Sequence, residues 1–415
     1  MYTFEDIPYW EFDEFARNYP NSAFVQSEKM ALLQIAQNRS VKTVGVKDDG
    51  KLIAAGLFSI RPVISKYSIA HCNQGPLIDF SNQELVKFFF DNVKELLKKE
   101  NCIHALITPN FPVYYRNINA EIISEENNLR YLDNLNKASV KHRGFDNSPI
   151  NGIGRWLFMK DFSDLLSVDD LMNSFDHPTR KAIRKTFKDQ VEVIEIEEDE
   201  MIIFKELMEK TSERRDFKDR PLEYYQSLKK IFKEECKVLV AKLNVENYSD
   251  SITRQFRQLE IEIDELQDQI ETSNVSKKII NKHRVATENL EVIKKRQEEL
   301  ALFGTQKEVI LGGVIYIVYG KELTALFAGN DDKYFGFNGT HAIHYHAMSK
   351  AVENKLLRFN FYGTSGKFSG SNDEGVYKFK KGFGGYVLEQ PGDFELEVLP
   401  LLNKMYKLIH NIKNR

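Results

Sequence analysis

The chain runs through one order of elements twice, and the second pass is interrupted by a long helical insert. In the first half a helical stretch over 12–37 leads to an apolar strand at 43–46, a Lys47-Asp48-Asp49-Gly50-Lys51 turn and a second strand at 52–58. Asp-Gly between two apolar runs predicts a β-hairpin. A strand at 67–71, a helix at 83–99 with Leu85, Val86, Phe89, Val93 and Leu96 along one face, and a strand at 104–107 complete the unit. The second half repeats it with helices at 198–212 and 222–235, strands at 237–243, 309–318 and 323–328, a helix at 340–354 and a strand at 358–362. That order predicts two related α+β domains in tandem, each a mixed sheet flanked by helices.

The insert replaces the turn of the second hairpin, from Asn244 to Gly304. Phe256, Leu259, Ile263, Leu266 and Ile270 keep the 3-4 spacing of a coiled-coil seam. A polar break at 273–276 precedes a weaker seam through His283, Ala286, Leu290, Ile293 and Leu300. Two seams joined by a short break predict an antiparallel helical arm. At 1.5 Å per residue it would stand roughly 35–40 Å from the body. One reading of such an arm is a dimerisation coiled coil. The other is a reach toward a ligand, with Lys277, Lys278, Lys282, His283 and Arg284 near the tip as a phosphate-tracking patch. The expected boundaries are a first domain at 1–146, a second at 147–247 plus 304–400, the arm at 248–303, and a C-terminal amphipathic helix at 401–415. In that last helix Met405, Leu408, Ile409 and Ile412 oppose Lys404, Lys407 and Lys413, which suits either anionic membrane or docking on the body.

Composition narrows the function. With 42% hydrophobic and 29% charged residues, the 415-residue chain is neither disordered nor collagen-like. A net charge of -3 excludes a uniformly basic coat, so a polyanion would have to meet a local patch. Cys72, Cys102 and Cys236 lie far apart without a CxxC pair, which argues against a disulfide framework and fits a reducing cytosol. The start lacks a signal-peptide pattern and no apolar run approaches the ~20 residues of a membrane helix, so a cytoplasmic protein is expected. No P-loop, HExxH or GxSxG pattern is present. His341, His344 and His346 crowd one helix, but no carboxylate or cysteine completes a metal set at suitable spacing, and no metal is expected.

Three clusters could carry chemistry. Gly375-Val376-Tyr377-Lys378-Phe379-Lys380-Lys381-Gly382-Phe383 alternates aromatic and cationic residues, which reads as a strand with Lys378 and Lys380 on one face and Phe379 on the other. In Arg214-Arg215-Asp216-Phe217-Lys218-Asp219-Arg220-Pro221-Leu222-Glu223-Tyr224-Tyr225, Pro221 starts a helix with Arg220 at its mouth and Tyr224 a turn onward, a fork suited to a diphosphate. The third, 179–185, is helical with one basic face, and solvation accounts for it when it is taken alone.

Together with Asn73-Gln74-Gly75-Pro76-Leu77-Ile78-Asp79, the run from Arg358 to Lys367, and Gly392-Asp393-Phe394, these segments resemble the FemABX family of peptidoglycan-bridge aminoacyltransferases across nearly the whole chain. The branch it looks most similar to carries a helical arm. The resemblance implies two acetyltransferase-like (GNAT-like) domains and transfer of an amino acid, of the Gly, Ala or Ser class, from aminoacyl-tRNA to the stem-peptide lysine or growing bridge of lipid II. It associates Lys380 with the transfer step, and Arg220 and Tyr224 with the precursor's phosphates. Lys378, Phe379 and Phe383 are expected to bind substrate around Lys380. The arm, through Lys277, Lys278, Lys282 and Arg284, would contact tRNA. No cofactor is implied, because an aminoacyl ester is already activated. Peripheral contact with the inner membrane face is expected, and the oligomeric state is open between a homodimer and association with related transferases. Two positions depart from the family: Thr108-Pro109 stands where many members have Asp-Pro, and Asn360 where an aspartate is frequent. A conventional acetyl-CoA-dependent transferase lacks support, since no [RQ]xxGx[GA] loop is found; a non-catalytic coiled-coil assembly protein is the other alternative.

Overall fold

The computed structural model describes residues 1–124, 128–145, 154–271, 276–364, 366, 368 and 374–413, with side chains to Ile409. The polar break at 273–275, Ser365, Lys367 and the side chains of Ile412 and Lys413 lie outside the described residues. In chain order the first half holds β1 (Tyr2–Asp6), α1 (Tyr9–Asn18), α2 (Glu28–Ala36), β2 (Ser40–Asp48), β3 (Lys51–Ile64), β4 (Tyr67–Asn73), α3 (Gln83–Lys99) and β5 (Cys102–Thr108). The middle adds β6 (Tyr114–Asn117), α4 (Leu129–Lys137), β7 (Val140–His142), β8 (Trp156–Asp161), α5 (Val168–Asn173), α6 (His177–Lys188), β9 (Glu192–Glu195), α7 (Met201–Arg215) and α8 (Leu222–Phe232). The remainder is β10 (Cys236–Asn244), α9 (Val245–Glu271), α10 (Lys277–Glu299), β11 (Glu308–Tyr319), β12 (Glu322–Asn330), α11 (Gly339–Glu353), β13 (Arg358–Thr364), α12 (Glu374–Gly382), β14 (Tyr386–Glu389), β15 (Phe394–Glu397) and α13 (Pro400–Lys413).

The duplication is visible in the pairing. β2, β3 and β4 are successive antiparallel neighbours, and β4 pairs in parallel with β5 across α3. β10, β11 and β12 do the same, with β12 parallel to β13 across α11. Each half is the mixed sheet expected of a tandem acetyltransferase-like fold.

Linear boundaries, however, do not follow the sheets. The first sheet runs β1-β2-β3-β4-β5-β15-β7 and the second β6-β14-β8-β13-β12-β11-β10-β9. Residues 394–397, expected in the second domain, therefore sit between β5 and β7 of the first, and 114–117, expected in the first, pair with β14 of the second. β8 and β15 occupy equivalent slots in opposite sheets, beside β13 and β5, and it is β6 and β15 that cross, each sitting in the other half's sheet. The physical reason is that a four-residue strand such as Phe-Glu-Leu-Glu or Tyr-Tyr-Arg-Asn carries no local mark of its distant partner.

Side chains reinforce the exchange. Phe12, Phe24 and Met30 of the first half share one core with Phe204, Tyr225, Phe232, Ile315 and Ile317 of the second. Tyr319 donates to Asp13 Oδ1 (3.1 Å) and Arg17 bridges Asp13 and Glu235.

The arm leaves the body between Asn244 and Glu308, the last register pair of the β10–β11 hairpin. α9 has 27 residues and α10 has 23. Leu266, Ala286 and Ile293 are buried and Phe256, Leu259 and Leu290 half-buried, while the residues between them are mostly exposed, so the seam positions face inward. At its root the buried Asp189 accepts from Arg296 (3.0 Å) and from Lys185 (2.7 Å), clamping α10 to the end of α6.

The 374–382 segment is a helix, not the expected strand. Alternation over three residues cannot separate a period of 2 from one of 3.6. The helical face is set by buried Tyr377 and Lys380, and Glu374 and Lys378 form an i,i+4 ion pair (2.7 Å) on the outside. Consequently Lys378 and Lys380 point roughly 200° apart instead of sharing a face.

C-terminal α13 docks through polar groups. Asn403, fully buried, contacts His104 (2.9 Å) and Glu395 (2.6 Å), and Lys407 pairs with Glu395 (2.6 Å). Its apolar Leu401, Met405, Leu408 and Ile409 remain exposed.

Candidate active site

Two cavities share one wall in the second half. The larger, about 870 Å³, is lined by α7, the turn at 332–337, the start of α11, the end of β13 and one face of α12. The smaller, about 300 Å³, opens between the halves and is lined by Arg39, Ser59, His71 and Asn73 from one and by Arg220 and Tyr224 from the other. Leu326, Phe327 and Tyr362 line both.

Lys380 lines the larger cavity although only 8% of its surface is exposed. Its Nζ donates to Gly363 O (2.8 Å) and to Tyr362 O (3.4 Å). Those carbonyls are presented by a β-bulge, where the β13 register against β8 slips by one residue between Asn360 and Gly363. Bulges of this kind re-aim side chains beside functional sites. Tyr362 takes a left-handed φ of 63°, and its N–H donates to Asn360 Oδ1 (2.8 Å).

Asn360 is thereby accounted for. It caps the bulge and donates to Glu322 Oε1 (3.0 Å), whose other oxygen accepts from Arg358 (2.7 Å). It lines a small space between the halves rather than the cavity that holds Lys380. Thr108, likewise, accepts from the Gln74 N–H through Oγ1 (2.8 Å) and from the Gly75 N–H through its carbonyl (3.1 Å), fixing the turn that follows Asn73. Neither residue lines the Lys380 cavity, so an aspartate at these positions would not reach it either.

Phe379 lines the cavity and packs edge-on against His341 at 4.8 Å. Phe383 does not; it is fully buried among Phe175, His341 and Phe361 and acts as core. Lys378 faces out, paired with Glu374. His341 and His344 both line the cavity as neutral rings: burial pushes them down to about 4 and about 3, with the charge of Lys380 adding to the effect on His344. Among the described residues no group of three or more His, Cys, Asp and Glu side chains could hold a metal ion.

In the smaller cavity the Arg220 guanidinium lies over the Tyr224 ring at 5.2 Å. Burial, then the charges of Arg61 and Arg220, lower the Arg39 guanidinium below its usual range. Three buried polar atoms lining the cavity, Gln34 Oε1, Gln37 Nε2 and Asn73 Oδ1, have no hydrogen-bond partner among the described residues. Guanidiniums beside unpartnered amide groups have the donors to receive a polar anion. Sequence reasoning found Arg220 and Tyr224 but missed Arg39, Gln34 and Asn73. Arg39 carries no motif and arrives only because α2 packs against α8, where Lys29 donates to Phe232 O (2.9 Å).

The arm tip is weaker as an anion site than its composition suggests. Arg284 is held by Glu288 and Asn281, and the opposing α9 carries Glu260, Glu262, Glu265 and Asp268.

The fold is of the tandem acetyltransferase-like kind. A FemAB family profile matches residues 7–411, and the chain belongs to that family. It is 30% identical to the aminoacyltransferase FemA of Staphylococcus epidermidis over 416 residues, covering 99% of each chain. To FemA of Staphylococcus aureus it is 29% identical over 418 residues, again covering 99% of each. The crystal structure of FemX superposes with a TM-score of 0.76 over 97% of this chain and 99% of that one, at 23% identity.

Proposed function

We propose that the chain is an aminoacyltransferase that moves an aminoacyl group from aminoacyl-tRNA to an amine of lipid II, extending the interpeptide bridge of peptidoglycan. The observation that carries this reading is the pair of cavities divided by Leu326, Phe327 and Tyr362, one holding Lys380 and the other Arg39, Arg220 and Tyr224. The aminoacyl ester and the acceptor amine meet in the larger cavity. The acceptor's diphosphate is held in the smaller one, and its stem peptide reaches past the wall.

The amine nitrogen attacks the ester carbonyl, forming the C–N bond and placing negative charge on the carbonyl oxygen. The Lys380 ammonium stabilises that oxyanion as it develops. Collapse breaks the C–O bond to the terminal ribose, whose oxygen leaves as a hydroxyl after taking up a proton, while the attacking amine releases one. The neutral His341 and His344 place no competing charge beside Lys380. Holding both substrates in register supplies much of the remaining acceleration.

No described helix is long and apolar enough to cross a membrane. Contact with the lipid-linked acceptor's membrane is assigned to α13, whose exposed Leu401, Met405, Leu408 and Ile409 are flanked by Lys404. The arm, with Lys277, Lys278, Lys282 and Arg284 toward its tip, would meet a distal part of the tRNA.

The test combines purified protein, glycyl-, alanyl- or seryl-tRNA, and a lipid II analogue, with product read by mass. Transfer from at least one charged tRNA is expected; acetylation from acetyl-CoA with no aminoacyl transfer would refute the reading. Arg220→Ala should raise the acceptor KM with little change in kcat, the mark of lost ground-state binding.

A further inference from the structure

Neither cavity uses α6, the most one-sidedly charged helix of the protein. Arg180, Lys181, Arg184, Lys185 and Lys188 lie along it without a single carboxylate, while Thr179, Ile183 and Thr186 turn inward and are buried. Lys185 and Arg180 are occupied: the first donates to Asp189 (2.7 Å) and Gly336 O (2.8 Å), the second to the Phe175 carbonyl. Lys181, Arg184 and Lys188, at i, i+3 and i+7, are exposed, and no described carboxylate lies within ion-pair distance of them.

The position of α6 distinguishes this stripe from ordinary solvated charge. At its start the Asp176 N–H donates to Gly382 O (2.9 Å), and a Cβ on Gly382 would collide with Thr179 Oγ1, so α6 abuts the end of the helix that carries Lys380. Midway, Lys185 holds Gly336 O in the turn whose Tyr334 and Phe335 line the larger cavity. At its end Ser251 of the arm donates to Lys188 O (3.4 Å), and Asp189 grips Arg296. One basic helix thus runs from the catalytic helix, past the cavity rim, to the root of the arm.

We propose that the exposed stripe of α6 is the docking surface for the acceptor stem of the donor tRNA, delivering its aminoacylated end to the larger cavity. The proposal rests on the aminoacyl-tRNA reading above. Charge complementarity favours RNA here over the arm tip, where Arg284 is already paired and α9 presents carboxylates. It also favours RNA over a lipid surface. A membrane-lying helix needs a broad exposed apolar face, whereas α6 exposes one large apolar side chain, Phe187, which lies against Tyr345 (5.7 Å). Phe187 suits a stacked base better than a bilayer.

The test is the triple variant Lys181→Ala/Arg184→Ala/Lys188→Ala in the full chain. Binding of uncharged bacterial tRNA, followed by fluorescence anisotropy, should weaken about tenfold at moderate salt, and the slope of log Kd against log salt should become shallower by about three. The KM for charged tRNA should rise in parallel with kcat preserved, while a stemless donor, an aminoacyl ester of adenosine, should react as with the wild type. Unchanged tRNA affinity and KM would overturn the proposal, as would an equal loss with the stemless donor. Loss of binding to phosphatidylglycerol vesicles with tRNA affinity intact would overturn it in favour of a membrane surface. If the wild type binds tRNA through α6 yet transfers nothing from it, the docking surface stands and the aminoacyl-transfer reading falls.

Discussion

Replacing Lys380 by methionine removes the ammonium while keeping most of the side chain's volume. Two effects follow, and the geometry separates them. The Gly363 and Tyr362 carbonyls lose a donor at 2.8 and 3.4 Å. A buried acceptor left unsatisfied costs about 1–3 kcal/mol of stability. The second effect is on the transition state: losing a preorganised charge aimed at a developing oxyanion costs ~2.7–4 kcal/mol, or roughly 10²–10³ in kcat. Because the charge acts on an oxygen that becomes anionic only during reaction, kcat and kcat/KM should fall together, with both KM values within about twofold of wild type. Steady-state transfer from charged tRNA to a lipid II analogue reads the kinetic part, and urea unfolding reads the structural part. Lys380→Arg keeps a cation and a donor but changes its shape, so it should recover stability more fully than rate. A methionine variant with reduced stability and near-normal kcat would refute the reasoning and make Lys380 a brace for the bulge.

Other consequences follow from buried charge. His341 and His344, held at about 4 and about 3 by burial, stay neutral in the fold while the unfolded chain protonates near pH 6.5, so stability is full above that pH and falls as the pH drops toward 4. The loss should approach roughly 1.4 kcal/mol per pH unit for each ring in urea unfolding between pH 6 and 4, and His344→Gln should remove about half of the slope. Asp189→Ala strips the fully buried carboxylate from between Arg296 and Lys185 and should cost about 3 kcal/mol while making the arm root sensitive to proteolysis; a loss below about 0.5 kcal/mol would show that no clamp exists. Asn360→Asp puts a carboxylate where an amide now donates to Glu322 at 3.0 Å. Stability should fall by roughly 2–4 kcal/mol at pH 7 and recover on acidification, since repulsion raises the new group's proton affinity in the fold. Unchanged stability at pH 7 would mean that Arg358 already neutralises the pair.

What the sequence disclosed divides by range. β2 to β5 and β10 to β13, with α3 and α11, were legible because each has a local period or a turn signal, and the arm because its seam repeats over several turns. α12 was misread, since Lys-Phe-Lys is too short to show its period and the residues that decide it, Tyr377 and Lys380, are buried by distant partners. The resemblance singled out Lys380 and Arg220, and the structure places each in the lining of a cavity. Phe383 and Lys378 shared the same sequence phrase, but Lys378 lies on the outer face of α12 while Phe383, in the turn just past the helix, packs into the core. Arg39 could not have been found, because its role exists only where α2 meets α8. Thr108 and Asn360 stand where the family often has aspartate; their hydrogen bonds to backbone N–H groups give them a structural task, holding the two bends that shape the cavity walls.

The exchanged strands bear on how the acceptor is bound. β15 of the second half lies between β5 and β7 of the first sheet, and β6 of the first half pairs with β14 of the second, so rotating one half against the other would pull a strand from each sheet. The apolar core common to α1, α2, α8, β10 and β11 opposes the same motion. The smaller cavity takes its walls from both halves, with Arg39, His71 and Asn73 on one side and Arg220, Tyr224 and Tyr362 on the other. Its cations are therefore brought together during folding, and their mutual repulsion is offset by that core before any anion arrives. A site assembled in this way binds by preorganisation rather than by closure of the halves, and the two cavities keep one fixed spacing across Leu326, Phe327 and Tyr362. On the acceptor reading proposed above, that fixed spacing would act as a ruler: an acceptor anchored by its phosphates could present an amine to Lys380 only if the chain between them spans the wall, which would tie selection of the acceptor to its length.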